Sequence, residues 1–68
     1  MLKTLFSSEV RIQLLNRFLM HPDTEYYGRE LSEMLQTSPR AVHVELGNLE
    51  SIDLLRRRIS GRQHYYSV

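Results

Sequence analysis

The sequence predicts an α+β domain that is mainly helical, with three helices, a short strand between the first two, and a C-terminal β-hairpin. Apolar residues recur at helical spacing in three separate segments. Proline and residues that favour helix caps divide those segments. The residues after position 53 form two β-prone runs around a glycine. At 68 residues, the chain is expected to form one domain, 1–68, with a single small core.

The first helix is predicted to end near Met20, because the proline that follows cannot continue it. Its core-facing residues form two adjacent rows, which are Val10, Leu14 and Phe18, and Leu15 and Leu19. Arg11 lies near the middle of this apolar stripe, where a charge is unusual. We expect its stem to cover apolar surface while its guanidinium reaches an acid such as Glu45 or Glu50.

The second and third helices are predicted to form a helix-turn-helix. The apolar residues of the second are Tyr27, Leu31, Met34 and Leu35, and those of the third are Val42, Leu46 and Leu49. Between them, Ser38 can cap the third helix, and Pro39 suits its first position. Pro39 also drives Ser38 out of the helical region, so the two helices cannot merge into one. Two helices joined by a turn of about three or four residues are typical of this motif.

With its apolar row turned to the core, the third helix is predicted to present a polar face to solvent. That face consists of Arg40, Val44, Gly47 and Ser51, flanked by His43 and Asn48. Its single acid is Glu45, at the edge with the core. Arginine and asparagine can pair with the edges of guanine and adenine, so this face could read DNA. An ordinary solvated face is the alternative for this helix taken alone.

The predicted hairpin joins residues 54–59 and 63–68 through the three residues between them, whose central glycine supplies the positive φ of the turn. The aromatic segment 25–27 is predicted to be a short strand, with the hairpin as its partner. Alternate residues of a strand point to opposite faces, and we expect Tyr66 and Val68 to face the core.

The charges are distributed unevenly along the chain. Residues 1–53 hold five basic and eight acidic residues, for a net charge of −3, whereas residues 54–68 hold four arginines and no acid, for +4. A local basic cluster on a nearly neutral body is typical of a contact with phosphates.

The sequence also resembles the winged helix-turn-helix family, in particular MarR- and ArsR-like transcriptional regulators and related small archaeal DNA-binding domains. The resemblance covers nearly the whole chain. It is carried by Gly28-Arg29-Glu30-Leu31 and Leu35, then Thr37-Ser38-Pro39, then Val42, Leu46, Leu49 and Glu50, and finally Leu54-Leu55, Arg57, Gly61-Arg62 and Tyr66-Ser67-Val68. Two positions depart from the family: Gly47 stands where a polar or basic residue is more common, and Asp53 where glycine is usual. We therefore expect Asp53 to adopt a left-handed backbone at the end of the third helix.

The resemblance implies that residues 39–51 form a recognition helix in the major groove of duplex DNA. It further implies that residues 54–68 form a wing on phosphates or in the adjacent minor groove. The candidate DNA contacts are Ser38, Arg40, Ala41, His43, Val44, Asn48, Arg56, Arg58 and Arg62. The expected function is sequence-specific binding of double-stranded DNA in transcription regulation. The chain could act as a homodimer, and could be the N-terminal part of a longer protein.

A protein–protein interaction module of the same fold is the alternative function, supported by the apolar Ala41 and Val44 on the face expected to meet DNA. An enzyme is not expected, because the sequence lacks a glycine-rich phosphate loop and a nucleophile elbow. Its three histidines lack metal-ligand spacing, so no metal or other cofactor is expected either. The absence of cysteine and of a long apolar run predicts a cytoplasmic protein that does not span a membrane.

Overall fold

A computed structural model describes residues 7–68, so the first six residues of the predicted domain lie outside the described range. The elements are α1 (Ser7–Met20), β1 (Tyr26–Tyr27), α2 (Gly28–Leu35), α3 (Pro39–Ser51), β2 (Arg56–Ser60) and β3 (Gln63–Ser67). Over these residues the fold is α+β and mainly helical, and the elements follow the predicted order. None of the helices in the described part is long and apolar enough to cross a membrane.

The turn between α2 and α3 is built as the sequence predicts. The Ser38 hydroxyl oxygen accepts hydrogen bonds from the backbone N–H groups of Arg40, at 3.1 Å, and Ala41, at 3.3 Å. Pro39 occupies the first helical position. Both N–H groups would otherwise lack a partner at the start of the helix, so this cap fixes where α3 begins.

Both α2 and α3 are followed, within two residues, by a residue that has a left-handed backbone and is not glycine. These residues are Gln36, with φ of 53°, and Asp53, with φ of 66°. After α3, the Asp53 N–H donates to the Glu50 carbonyl, and the Leu54 N–H donates to the Leu49 carbonyl, both at 3.0 Å. The same pair of backbone bonds closes α2. Both ends are therefore Schellman motifs, and the expected left-handed conformation of Asp53 is confirmed.

The core takes a row of side chains from α1 and from α3, a single leucine from α2, and residues of the sheet and of the segment before β2. Its buried members are Val10, Leu14, Phe18, Tyr26, Leu31, Val42, Leu46, Leu49, Leu55 and Tyr66. Phe18 packs edge-on against Tyr26, with the ring centroids 5.4 Å apart. The rows predicted for the first and third helices, Val10–Leu14–Phe18 and Val42–Leu46–Leu49, thus form the centre of the core. Of the residues predicted for the second helix, only Leu31 is fully buried.

Three residues that were expected in the core are exposed instead. The exposed fractions are 65% for Leu19, 41% for Met34 and 46% for Val68. Leu19 follows the buried Phe18 in α1. A step of one residue turns its side chain about 100° around the helix, away from the core. Met34 lines an open cleft between α1 and α2. Val68 follows the last paired residue of β3, so the sheet does not hold it against the core.

The sheet is antiparallel, with the strand order β1-β3-β2. The predicted pairing of the short strand with the hairpin is confirmed, because Tyr26 pairs with Tyr66, and Tyr27 with Tyr65. Tyr27 also packs edge-on against Tyr65, with centroids 5.9 Å apart. The central strand β3 therefore connects the hairpin to the helical body.

The first strand of the hairpin begins two residues later than predicted, and the loop has two residues rather than three. β2 begins at Arg56 rather than at residue 54, and it includes Ser60, which pairs with Gln63. The connection consists of Gly61, whose φ is 61°, and Arg62. Glycine at the first position of a two-residue loop supplies the positive φ that the twist of a hairpin needs.

Candidate functional site

Most of the predicted contact residues are exposed. The exposed ones are Ser38, Arg40, His43, Val44, Asn48, Arg56, Arg58 and Arg62. Ala41 is the exception, because it is half-buried and packs against the core. The exposed residues lie in two places, the outward surface of α3 with its cap and the β2 strand with its loop.

Glu45, one of the two acids on α3, is buried and paired with an arginine. The Glu45 side chain is 1% exposed, and its carboxylate accepts a hydrogen bond from the Nε of Arg11 at 2.9 Å. The expectation that Arg11 reaches an acid from α3 is therefore confirmed. The side-chain amide of Asn48 also donates to Glu45, at 3.3 Å. Because Glu45 is buried in this ion pair, its negative charge is not exposed on the outward surface of α3. Its hydrogen bond with Asn48 also restrains that side chain.

Two arginines of β2 are paired with acids outside the hairpin, one on α3 and one just before β1. The Nε of Arg57 lies 3.3 Å from a carboxylate oxygen of Glu50, on the side of the strand that faces the body. Arg58 binds Glu25 with two nitrogens, at 2.7 and 2.9 Å. Its guanidinium carbon also lies 4.9 Å from the centre of the Tyr65 ring. The hydrogen bond from Arg58 lowers the pKa of the Glu25 carboxyl below its ordinary value.

Three other arginines of this region keep their charge exposed. Within residues 7–68, no ion pair is formed by Arg40, Arg56 or Arg62. Arg40 lies in the first turn of α3, and Arg62 lies in the hairpin loop. The free positive charge of the predicted site is therefore found at the start of α3 and along the outer edge and loop of the hairpin.

A cleft of about 230 Å³ separates α3 from the hairpin. It is lined by Gly28, His43, Leu46, Arg62, Gln63, His64 and Tyr66. Three of these side chains can carry a positive charge, and none is acidic. Burial raises the pKa of the Tyr66 hydroxyl, and the charge of Glu50 raises it further, so Tyr66 stays neutral near pH 7.

His64 also lines this cleft, although it was not among the predicted contact residues. It lies on the same face of β3 as Tyr66, but it is exposed near the loop, where the hairpin extends past the core. The alternation along the strand was the available signal, since it places His64 on the side of the hairpin that faces α3.

A second, larger cleft of about 500 Å³ lies between the ends of α1 and α2. It is lined by Gln13, Asn16, Arg17, Met20, His21, Met34, Leu35 and Gln36. None of the predicted contact residues lines this cleft. It is a separate feature of the surface.

Within the part of the chain that the structure describes, no group of three or more histidine, cysteine, aspartate or glutamate residues could hold a metal ion. A scan of the sequence against family models finds no match. Searches of curated proteins and of solved structures find none either.

Proposed function

We propose that this chain is a winged helix-turn-helix domain that binds double-stranded DNA and regulates transcription. In this proposal, α3 enters the major groove and the β2–β3 hairpin is the wing. The observation that carries the proposal is the distribution of charge. Arg40, Arg62, His43 and His64 lie on exposed surfaces of α3 and the hairpin, and both acids of α3, Glu45 and Glu50, are paired with arginines.

The arrangement of the elements supports the proposal. A helix-turn-helix presents its second helix to the major groove, and a tight capped turn precedes α3 here. The β1-β3-β2 sheet places the hairpin loop beside α3, with His43 and Arg62 lining one cleft. This is the arrangement that the resemblance to winged-helix regulators implies.

The ion pairs favour a phosphate partner. Phosphates are repelled by carboxylates, and the ion pairs neutralise Glu25, Glu45 and Glu50. The remaining arginines are free to displace counterions from a DNA backbone, which is the main source of affinity for duplexes. A hairpin whose charge served solubility alone would not require acids on the adjoining body to be paired.

Base recognition is assigned chiefly to Arg40 and Val44. Arg40 can bind a guanine edge with two hydrogen bonds, and the Val44 side chain, which is 50% exposed, can contact a thymine methyl group. Gly47 lies on the same surface, and a Cβ added there would meet no atom of residues 7–68 within 4 Å. The domain itself therefore does not need glycine at this position. A glycine there lets the α3 backbone approach a partner closely.

The decisive experiment measures affinity for a random-sequence duplex as a function of salt concentration. Arg62→Ala is expected to lower the slope of log affinity against log salt by about one, because one phosphate contact is lost. Arg17→Ala is the matched control, because Arg17 lines the separate cleft between α1 and α2, and its slope should stay unchanged. Arg58→Ala should have a smaller effect than Arg62→Ala, since Arg58 is already bound to Glu25.

A second experiment tests sequence recognition. On a duplex selected from genomic fragments, Arg40→Ala is expected to cost about 1–3 kcal/mol, and less on random duplex. An equal loss on both duplexes would mean that Arg40 contacts phosphate and that another residue reads the sequence.

A protein–protein interaction module is the second candidate, and the exposed Val44 on α3 favours it. The two functions differ in their response to salt. If the wild-type chain shows no salt-dependent binding to any duplex, the proposal of DNA binding is wrong and the interaction module takes its place.

A further inference from the structure

The outer strand of the hairpin, β2, leaves one edge of the sheet open. The strand order is β1-β3-β2, so among residues 7–68 β2 is paired on one side only. All five of its residues are exposed. The opposite edge is formed by β1, which has two residues and runs directly into α2. β2 is therefore the edge that has room for a further strand.

The register of the hairpin identifies the backbone groups that face this open edge. Ser60 closes the two-residue loop with a residue of β3, and such a closing pair exchanges backbone hydrogen bonds. Counting back from Ser60, every second residue of β2 directs its N–H and C=O groups toward β3. Arg57 and Ile59 lie between those residues. Their N–H and C=O groups therefore point away from β3 and can pair with another strand.

The side chains of β2 determine which kind of strand can use the edge. Arg56 and Arg58 share one face of the strand, and Arg57 and Ile59 share the other. Arg56 forms no ion pair within the described residues. The ion pairs of Arg57 and Arg58 are partly exposed, and exposed pairs are weak, so both side chains can shift to another carboxylate. The edge therefore favours a strand that carries acidic side chains.

A second copy of the chain does not fit the same edge. A two-fold axis at Arg58 would place that arginine opposite the same residue of the second copy, and an axis at Arg57 would do the same there. Like charges directly opposite each other destabilise paired strands. Charged side chains protect edge strands against self-association in this way. The charge that excludes a second copy attracts an acidic partner.

We propose that the open edge of β2 binds an extended acidic peptide segment as a fourth strand of the sheet. The outward N–H and C=O groups of Arg57 and Ile59 hydrogen-bond the segment, as in other cases of strand addition. Carboxylates at alternate positions of the segment contact Arg56 and Arg58. The positions between them are apolar, and one covers Ile59, whose side chain is 59% exposed. The proposal does not rest on DNA binding.

The test uses the whole chain and a synthetic peptide of about seven residues, capped at both ends, in which glutamate and valine alternate. Binding is expected to slow the hydrogen exchange of the Arg57 and Ile59 amides, measured by NMR. The control peptide has the same side chains, but its internal peptide bonds are N-methylated, so it keeps every charge and loses its hydrogen-bond donors. We expect it to bind at least about tenfold more weakly. A peptide with lysine in place of glutamate should not bind.

Two variants test the backbone and the charge separately. Ile59→Pro removes an outward N–H and leaves the pairing with β3 intact, because proline is tolerated where the missing N–H faces outward. It should abolish the binding of the acidic peptide. Arg56→Glu should weaken binding by about threefold to tenfold, whereas Arg17→Glu, which makes the same change of charge on α1, should not. Circular dichroism checks the fold of each variant.

The peptide comparison is made on the wild-type chain, so it decides the proposal even where a variant fails to fold. If the acidic peptide does not bind, the proposal is wrong. Equal affinity for the N-methylated peptide would also overturn it, because charge alone would then explain the association. Neither result involves a duplex, so DNA binding is decided separately by the salt titration.

Discussion

The helical body and the hairpin are stabilised by different interactions. In the body, formed by α1, α2 and α3, the central side chains such as Phe18 and Leu46 are fully buried. In the hairpin, every residue of β2 is exposed, and Tyr66 is the buried residue of β3. The body therefore depends on apolar burial, whereas the hairpin depends on backbone pairing, one aromatic anchor and ion pairs at the surface.

This difference determines which side chains are available for function. A core residue cannot change without disturbing its neighbours, because protein interiors are close-packed. Most hairpin side chains, including Arg56 and Arg62, contribute little to the core and can contact another molecule. The net positive charge of the chain therefore lies in the region that contributes least to the core.

The largest expected effect is the loss of a core ring. Phe18→Ala should lower the free energy of unfolding by about 3–5 kcal/mol, because it removes buried apolar area and leaves a cavity. Ile59→Ala is the hairpin control; its side chain is 59% exposed, and we expect a change within about 0.5 kcal/mol. Urea denaturation measures both. Similar losses in the two variants would contradict the division between body and hairpin.

The buried acid of the body provides the second test. Arg11→Ala leaves the Glu45 carboxylate buried without its main partner, and should cost about 1–3 kcal/mol, a range reduced because Arg11 is itself partly exposed. Arg17→Ala, on the same helix but outside this ion pair, should change stability by no more than about 0.5 kcal/mol. Thermal melting of the two variants at the same pH compares them. Equal melting temperatures would show that Glu45 is stabilised without Arg11.

A substitution at Asp53, in the segment that links the body to the hairpin, should raise the free energy of unfolding. Asp53→Gly is expected to stabilise the domain by about 0.5–1 kcal/mol, because glycine adopts a left-handed backbone without strain. Aspartate also lies near the negative end of the α3 dipole, where an anion is unfavourable. Asp53→Asn removes the charge alone and should recover a smaller part of the gain. A lower melting temperature for the glycine variant would reveal a stabilising contact of the aspartate.

The smallest expected effect concerns an ion pair on the hairpin surface. Because Arg58 lowers the pKa of Glu25, the pair contributes stability above the ordinary pKa of 4.5, and this contribution is lost as the pH falls through the lowered value. In Arg58→Ala, the pKa of Glu25 should rise toward 4.5, with little change in melting at pH 7. NMR titration of the Glu25 carboxyl measures this shift. Arg56→Ala is the control, and an identical titration in both variants would mean that Arg58 does not set this pKa.

The sequence predicted which face of each helix is buried better than it predicted how many residues on that face are buried. Periodicity identified the buried rows, and local chemistry identified the Ser38 cap, because a cap depends on neighbouring residues alone. The left-handed backbone of Asp53 was indicated by the resemblance to winged-helix regulators, which usually have glycine at that position. The exposure of Leu19 and Met34 could not be predicted, since it depends on how far adjacent helices extend. Periodicity therefore predicts which face of a helix is buried, whereas the extent of that face depends on packing against neighbouring elements.

The candidate site shows the same division. The exposed face of α3 followed from its helical period, and Arg11 was correctly assigned to an acid. The pairing of Arg58 with Glu25, and the position of His64 and His43 on opposite walls of one cleft, depend on how elements far apart in sequence pack together. No local pattern encodes such contacts, because they arise only when the hairpin packs beside α3.

The central position of β3 also has a consequence for the order of folding. β1 and β2 both pair with β3, so no part of the sheet can form until residues 63–67 are in position to pair. Pairing Tyr26 with Tyr66 closes a long loop that contains α2 and α3, and such non-local closure is slow. We therefore expect the helices to pack before the transition state and the sheet to form after it. On this route, substitutions in β3 accelerate unfolding, whereas substitutions among the buried residues of the helices retard folding.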